Sequence, residues 1–179
     1  MSFKPLMPNE YAMLRRLFLT FSALFLIPFA AHAQEAEQPA PAPASVPAEE
    51  NILYLDLSTG GRGAIQLFAN LAPNHVERIK TLTRQGFYDG IIFHRVIDGF
   101  MAQTGDPTGT GTGGSSLPDL KAEFGKFPHL RGVVSMARSE SEDSANSQFF
   151  IVFYPRFSLD GKYSAFGRDT AGMEYDDRI

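Results

Sequence analysis

From Phe87 onward the sequence runs in short apolar stretches separated by glycine-rich ones, a pattern that leaves room for little but short strands. Gly90–Ile97, Phe100–Thr104, Gly132–Ala137, Gln148–Tyr154 and Tyr163–Phe166 are such stretches. Ahead of them, Asn51–Leu57 sets Leu53, Leu55 and Leu57 on one face, and Thr59–Gly63 is turn chemistry. Ala64–Phe68 then aligns Ile65 with Leu67, which predicts a β-hairpin. Only Leu71–Gly86 reads differently. Pro73 suits a first helical turn, Val76, Ile79 and Leu82 recur at helical spacing, and Gly86 suits the position just past the helix end. One amphipathic helix among many short strands predicts an antiparallel barrel or sandwich.

The 179 residues are enough for one domain of ordinary size, and 44% hydrophobic content supplies a real core. There are 16 Phe and no Trp. Most of the Phe fall from Phe87 onward, so the core is expected in the later part of the chain. The net charge is -4; residues 1–33 hold Lys4, Arg15, Arg16 and Glu10, so residues 34–179 carry -6. An acidic surface argues against nucleic acid or anionic membrane as the main partner. No cysteine is present. Disulfides, thiolate metal sites, a Cys nucleophile and a lipid-bearing N-terminal Cys are thereby excluded.

Two arginines, Arg15 and Arg16, precede an apolar stretch from Leu17 to Ala31, and Ala31-His32-Ala33 offers small residues where a signal peptidase reads. This is the three-part pattern of a secretory signal peptide over residues 1–33. The stretch is short of a bilayer span and Pro28 interrupts it, so no stable membrane anchor is expected. Pro5, Pro8 and Glu10 fit the pattern poorly, which makes Met13 an alternative start. Residues 34–50 hold four prolines among Ala, Gln and Glu and are expected to form a disordered spacer. The domain is expected over residues 51–179, exported and most simply periplasmic.

Several familiar signals fail. Gly109–Gly114 satisfies G-x-G-x-x-G by letter, but Pro107 precedes it and Pro118 follows, so no helix can open where a dinucleotide site needs one. A surface loop is the better reading. His75, His94 and His129 show no metal-ligand spacing, and no metal is expected. His94 reads as a structural histidine at a strand end. Serines abound, yet no G-x-S-x-G elbow exists to hold a Ser-His-Asp set.

Phe93–Asp106 reads F-H-R-V-I-D-G-F-M-A-Q-T-G-D and closely resembles the signature of the cyclophilins. Gly113-Gly114-Ser115 with Ala122-Glu123-Phe124, then Gly132–Ala137, Asn146–Ile151, Leu159–Tyr163 and Phe166-Gly167, resemble the family's later segments in the same order. The resemblance runs from about Asn51 to Ile179. It implies a mainly β, cyclophilin-like antiparallel barrel and peptidyl-prolyl cis-trans isomerase activity on proline-containing polypeptides. Family members continue past Gly172-Met173-Glu174 into a second helix and a last strand, so the domain is expected to lack these at its C-terminal end.

The chemistry suits the residues. Rotation about an X-Pro amide meets a barrier of ~18–20 kcal/mol because the bond is conjugated. Twisting it breaks no bond and needs no cofactor; it needs a donor for the nitrogen lone pair that the twist creates. Arginine stays charged and presents several donors in a rigid fork. By resemblance Arg95 takes that role, with Gln103 orienting it and Phe100 beside it. Phe100, Met101, Phe150 and Leu159 map onto the family's proline pocket. Met136, Ala137 and Gln148 map onto the adjoining peptide groove, and Tyr163 stands where many members have His. Taken singly, Phe100, Met101 and Phe150 would read as plain core. Ser158 falls where many eukaryotic members carry a cyclosporin-contacting Trp, so strong cyclosporin binding is not expected. Arg138 stands where the family often has Asn, with Glu140, Glu142 and Asp143 as candidate partners. A monomer that assists folding of exported proteins is the expected function. The alternative is a module of the same fold that binds proline segments without catalysis.

Overall fold

The computed structural model describes residues 48–179. The predicted signal peptide and most of the predicted spacer, residues 1–47, lie outside the described residues. Ala48–Asn51 form a 3-10 turn that leads into the hairpin β1 (Ile52–Asp56) and β2 (Arg62–Leu67). Helix α1 (Pro73–Arg84) follows. Then come β3 (Arg95–Ile97), β4 (Met101–Thr104), β5 (Val133–Met136) and β6 (Phe149–Val152). Strand β7 (Ala165–Ala171) and the short α2 (Met173–Asp176) follow. The seven strands form one sheet in the order β1-β2-β7-β5-β6-β4-β3, antiparallel throughout. The expected barrel architecture is therefore a curled half-barrel with β1 and β3 as its edges.

Two strands differ from expectation. Gly90–Ile97 pairs only from Arg95, and the residues before it form a loop. The last strand runs beyond Tyr163–Phe166 to Ala171, through the polar residues Arg168, Asp169 and Thr170. It is central, held by main-chain bonding to β2 on one side and β5 on the other, so its partners decide it and not its apolarity.

Strand alternation divides the buried side chains between two faces. Ala102, Val134, Met136, Phe149 and Ile151 join Ile65, Leu67 and Phe166 in the main core, which Val76 and Ile79 of α1 cover. The intervening residues Met101, Phe150 and Val152 form a separate cluster on the opposite face, with Ile97, Phe100, Ala137, Leu159 and Tyr163 packed on it. A second apolar face this small marks a surface depression, not a core.

Helix α1 begins without a local cap. Ala72 holds the cap position and supplies no side-chain acceptor. The carboxylate of Glu123 takes over instead: Asn74 N and His75 N donate to it at 3.2 Å each, and Asn74 Nδ2 at 2.7 Å. His75 Nδ1 lies 2.5 Å from Glu123 Oε2, with the ring fully buried. An acidic group at a helix N-terminus satisfies its free N–H groups and its dipole together.

At the other end α2 sits against β2. Gly172 opens it at φ 99°, where any side chain would collide with the backbone of Arg62 and Gly63. Asp176 and Asp169 are both buried and converge on Gly63. Among the described residues, both Asp176 oxygens and Asp169 Oδ2 lack a donor. Burial first, and then the facing Asp169, push the Asp176 carboxyl up to about 8.

Candidate active site

Register places the signature residues in rows across the sheet. Arg95 on β3 pairs with Gln103 on β4, Gln103 with Phe150 on β6, and Phe150 with Ser135 on β5. One row over, Ile97 pairs with Met101 and Met101 with Val152. Residues scattered over more than fifty positions thus share one face because their strands are in register.

Above these rows opens a cavity of about 610 Å³. Phe100, Met101, Phe150, Leu159 and Tyr163 line its apolar side, and Arg95, Gln103 and Ala137 its rim. Met101 and Phe150 are buried at its base, and the Tyr163 ring meets Phe150 edge-on at 5.5 Å between centroids. The Arg156 guanidinium lies over the Phe100 ring at 4.6 Å. A second cavity of about 540 Å³ continues past Gln103, Ala137 and Arg138 towards Gln148 and Gly113.

The polar rim is a relay. Arg95 Nη1 donates to Gln103 Oε1 at 3.2 Å, and Gln103 Nε2 donates to Gln148 Oε1 at 2.8 Å. Gln148 Nε2 donates in turn to Gly113 O at 2.7 Å and Gly111 O at 3.1 Å. Each amide is oriented by the next, so the Arg95 fork is held at the cavity mouth while staying exposed to solvent.

The relay ends on the glycine-rich loop, which is organised around the buried carboxylate of Asp106. Thr108 N and Oγ1 donate to Oδ1 at 2.7 and 2.8 Å, and Gly111 N and Gly113 N donate to Oδ2 at 2.6 and 3.1 Å. Burial alone would raise this carboxyl's pKa. The donors, Gly113 N first, outweigh it and hold the group far below the usual carboxylate range. A Cβ at Gly113 would strike Asp106, so the glycine is required there. The G-x-G-x-x-G spacing does cradle an anion, but the anion is the chain's own.

Of the residues that the sequence singles out, all line the first cavity except two. Gln148 lines the second cavity. Met136 lines neither: it lies two residues from Val134 on the same face of β5, fully buried in the main core, and only Ala137 beyond the strand end reaches the groove. Sequence reasoning missed Ile97 and Val152 beneath the site, which strand alternation would have found. It also set aside His94, which lines the first cavity under Gly111, both ring nitrogens buried and without a partner among the described residues.

A Ser-His-Asp set is also present. His129 Nδ1 lies 2.8 Å from Asp160 Oδ1, and His129 Nε2 lies 2.8 Å from Ser135 Oγ. Ser135 has no exposed surface, so no substrate can reach its hydroxyl. The set ties the residue after Leu159 to the strand behind Phe150 and so fixes the cavity wall. Burial opposes ionisation of Asp160, but its bonds from His129 outweigh this and hold the carboxyl below its ordinary value. Among the described residues no group of three His, Cys, Asp or Glu is placed to hold a metal.

The family model for "Cyclophilin type peptidyl-prolyl cis-trans isomerase/CLD" matches residues 54–179. A Brucella suis protein named "Probable peptidyl-prolyl cis-trans isomerase" is 48% identical over 147 residues, 76% of this chain and 74% of that one. Peptidyl-prolyl cis-trans isomerase B of Bacillus subtilis is 42% identical over 124 residues, covering 68% of this chain and 85% of its own. Among solved structures, a Cryptosporidium parvum cyclophilin crystallised in the presence of the dipeptide Ala-Pro superposes with a TM-score of 0.68 at 32% identity, over 72% of this chain and 84% of that one. The register, the Arg95–Gln103 relay and the matched span agree: the chain belongs to the cyclophilin-type peptidyl-prolyl cis-trans isomerases.

Proposed function

We propose that Arg95 drives the isomerisation by donating a hydrogen bond to the nitrogen of the twisting X-Pro amide. The observation that carries this is the pairing of Arg95 with Gln103 at the mouth of an otherwise apolar cavity. The pyrrolidine ring sits among Phe100, Met101, Phe150 and Leu159, and Gln103 and Gln148 grip the peptide backbone beside it. In the planar amide the nitrogen lone pair is conjugated and accepts no bond. In the twisted state it does, so a fixed guanidinium favours the barrier top over both ground states. No bond is made or broken, and the proton stays on Arg95.

The substrates are proline-containing segments of unfolded exported proteins. The leader pattern at Arg15–Ala33 supports work outside the cytoplasm, in the periplasm. The test is cis-to-trans exchange of an Ala-Pro peptide followed by NMR, with Arg95→Ala in parallel. The parent accelerates exchange, and Arg95→Ala lowers kcat/KM by about 10²-fold or more while keeping its fold. An Arg95→Ala protein as fast as the parent overturns the assignment; a folded parent that binds the peptide without acceleration would make the domain a binding module.

A further inference from the structure

Arg138 is the second guanidinium of the site, and the isomerisation step does not use it. It follows Ala137 beyond β5 and stands on the wall shared by the two cavities. Its Nε donates to Lys162 O at 3.1 Å, and its Nη1 to Ser139 O at 2.9 Å and Glu140 O at 3.3 Å. Its plane lies over the Tyr163 ring at 4.9 Å. Every one of these partners is neutral.

The acidic residues that come after it do not pair with it. Glu140 meets Arg138 only through its main-chain carbonyl, and Asp143 accepts instead from Ala122 N at 2.9 Å. Among the described residues no carboxylate lies within ion-pair distance of Arg138 or of Arg95. A chain of net charge -4 therefore keeps two unneutralised cations in one groove. Arg138 is also held rigid by three carbonyls while its Nη2 remains free of these bonds. A half-buried, preorganised guanidinium gives up little further entropy on meeting a carboxylate.

We propose that Arg138 makes this isomerase selective for proline segments that carry an acidic side chain within the two residues preceding the proline. The inference rests on the placement of the ring in the first cavity. That placement turns the amide nitrogen towards Arg95 and Gln103. Gln103 also lines the second cavity, so the chain on the nitrogen side of the ring runs along Ala137 and Arg138 into it.

The test compares kcat/KM for matched peptides with Glu, Gln or Lys at the first or second position before proline, at low and at high salt, with peptide Kd read from NMR shifts. Glu exceeds Lys by about five- to tenfold at one of these positions at low salt, and the ratio shrinks as salt rises. In Arg138→Gln the ratio falls to within about twofold, and Arg138→Lys restores part of it. A merely structural Arg138 would slow all three peptides alike. Equal rates and Kd for Glu and Lys peptides in an active parent overturn the charge preference alone, as does a ratio unchanged in Arg138→Gln. A parent that turns over no peptide would instead bring down the isomerase-site reading, and this inference with it.

Discussion

Arg95 and Gln103 face each other as a cross-strand pair of β3 and β4, and the 3.2 Å bond between their side chains is the first link of a relay that Gln148 completes. The relay makes orientation of the guanidinium a property of two strands, the residue before β6 and a loop. Gln148→Ala removes the group that holds Gln103 in place and releases Gly111 and Gly113. It lowers kcat/KM by about tenfold without unfolding the domain. Adding it to Arg95→Ala costs little more, because groups that act as one unit are not additive. Single-turnover exchange by NMR on the four proteins checks both statements; a fully additive double variant would refute the relay.

His129→Ala leaves the buried Ser135 hydroxyl without a partner and frees the half-exposed Asp160 from its histidine. It destabilises the domain by about 2 kcal/mol in chemical denaturation. Since Asp160 adjoins Leu159, the cavity wall loosens too, and KM rises more than kcat falls. A variant of parental stability and KM would show that the set is incidental.

Glu123→Ala uncaps α1, at a cost of about 1–2 kcal/mol. Glu123→Gln keeps an acceptor for the Asn74 and His75 amides and loses less. Urea midpoints at constant slope separate the two, and equal midpoints for both variants would place the stabilisation elsewhere.

Stability is greatest on the acid side of neutrality. Asp106, Glu123 and Asp160 have folded-state pKa values below their ordinary ones, so their contribution is present above pH 4–5 and is lost as pH falls through those lowered values. Asp176 has the opposite sign. Its folded pKa is raised from 3.8 to about 8, so its contribution is complete below 3.8 and is lost as pH rises towards 8. The melting temperature therefore peaks near pH 4–5 and declines up to about pH 8. Asp176→Asn removes the upper decline and is more stable than the parent at pH 7.5 by about 1–3 kcal/mol. A flat parental profile between pH 5 and pH 8 would count against the buried acid pair.

The helix at Pro73–Arg84 and the β1–β2 hairpin are legible from local pattern, since period and turn chemistry specify them. The signature residues are legible as a set by resemblance, and all but Gln148 and Met136 line the first cavity. What was not legible lies between distant segments. The partner of His75 is 48 residues away, that of His129 31 residues away, and that of Arg138 is a run of carbonyls where carboxylates were expected. Met136 lies in the main core for a different reason: it shares the face of β5 that Val134 turns inward, and only the neighbouring strands show which face that is.

Strand β7 lies between β2 and β5, and Thr170 Oγ1 reaches back to Ala64 O across 106 residues. Within the sheet the β1–β2 hairpin therefore reaches the other strands only through β7, which comes far later in the chain. Such a chain has high contact order and folds late and all at once, on a scale of milliseconds to seconds. Without β7 the hairpin and strands β3 to β6 share core side chains but no backbone pairing. A catalyst of slow folding steps is thus itself a protein whose sheet closes only when β7 joins two otherwise unpaired parts.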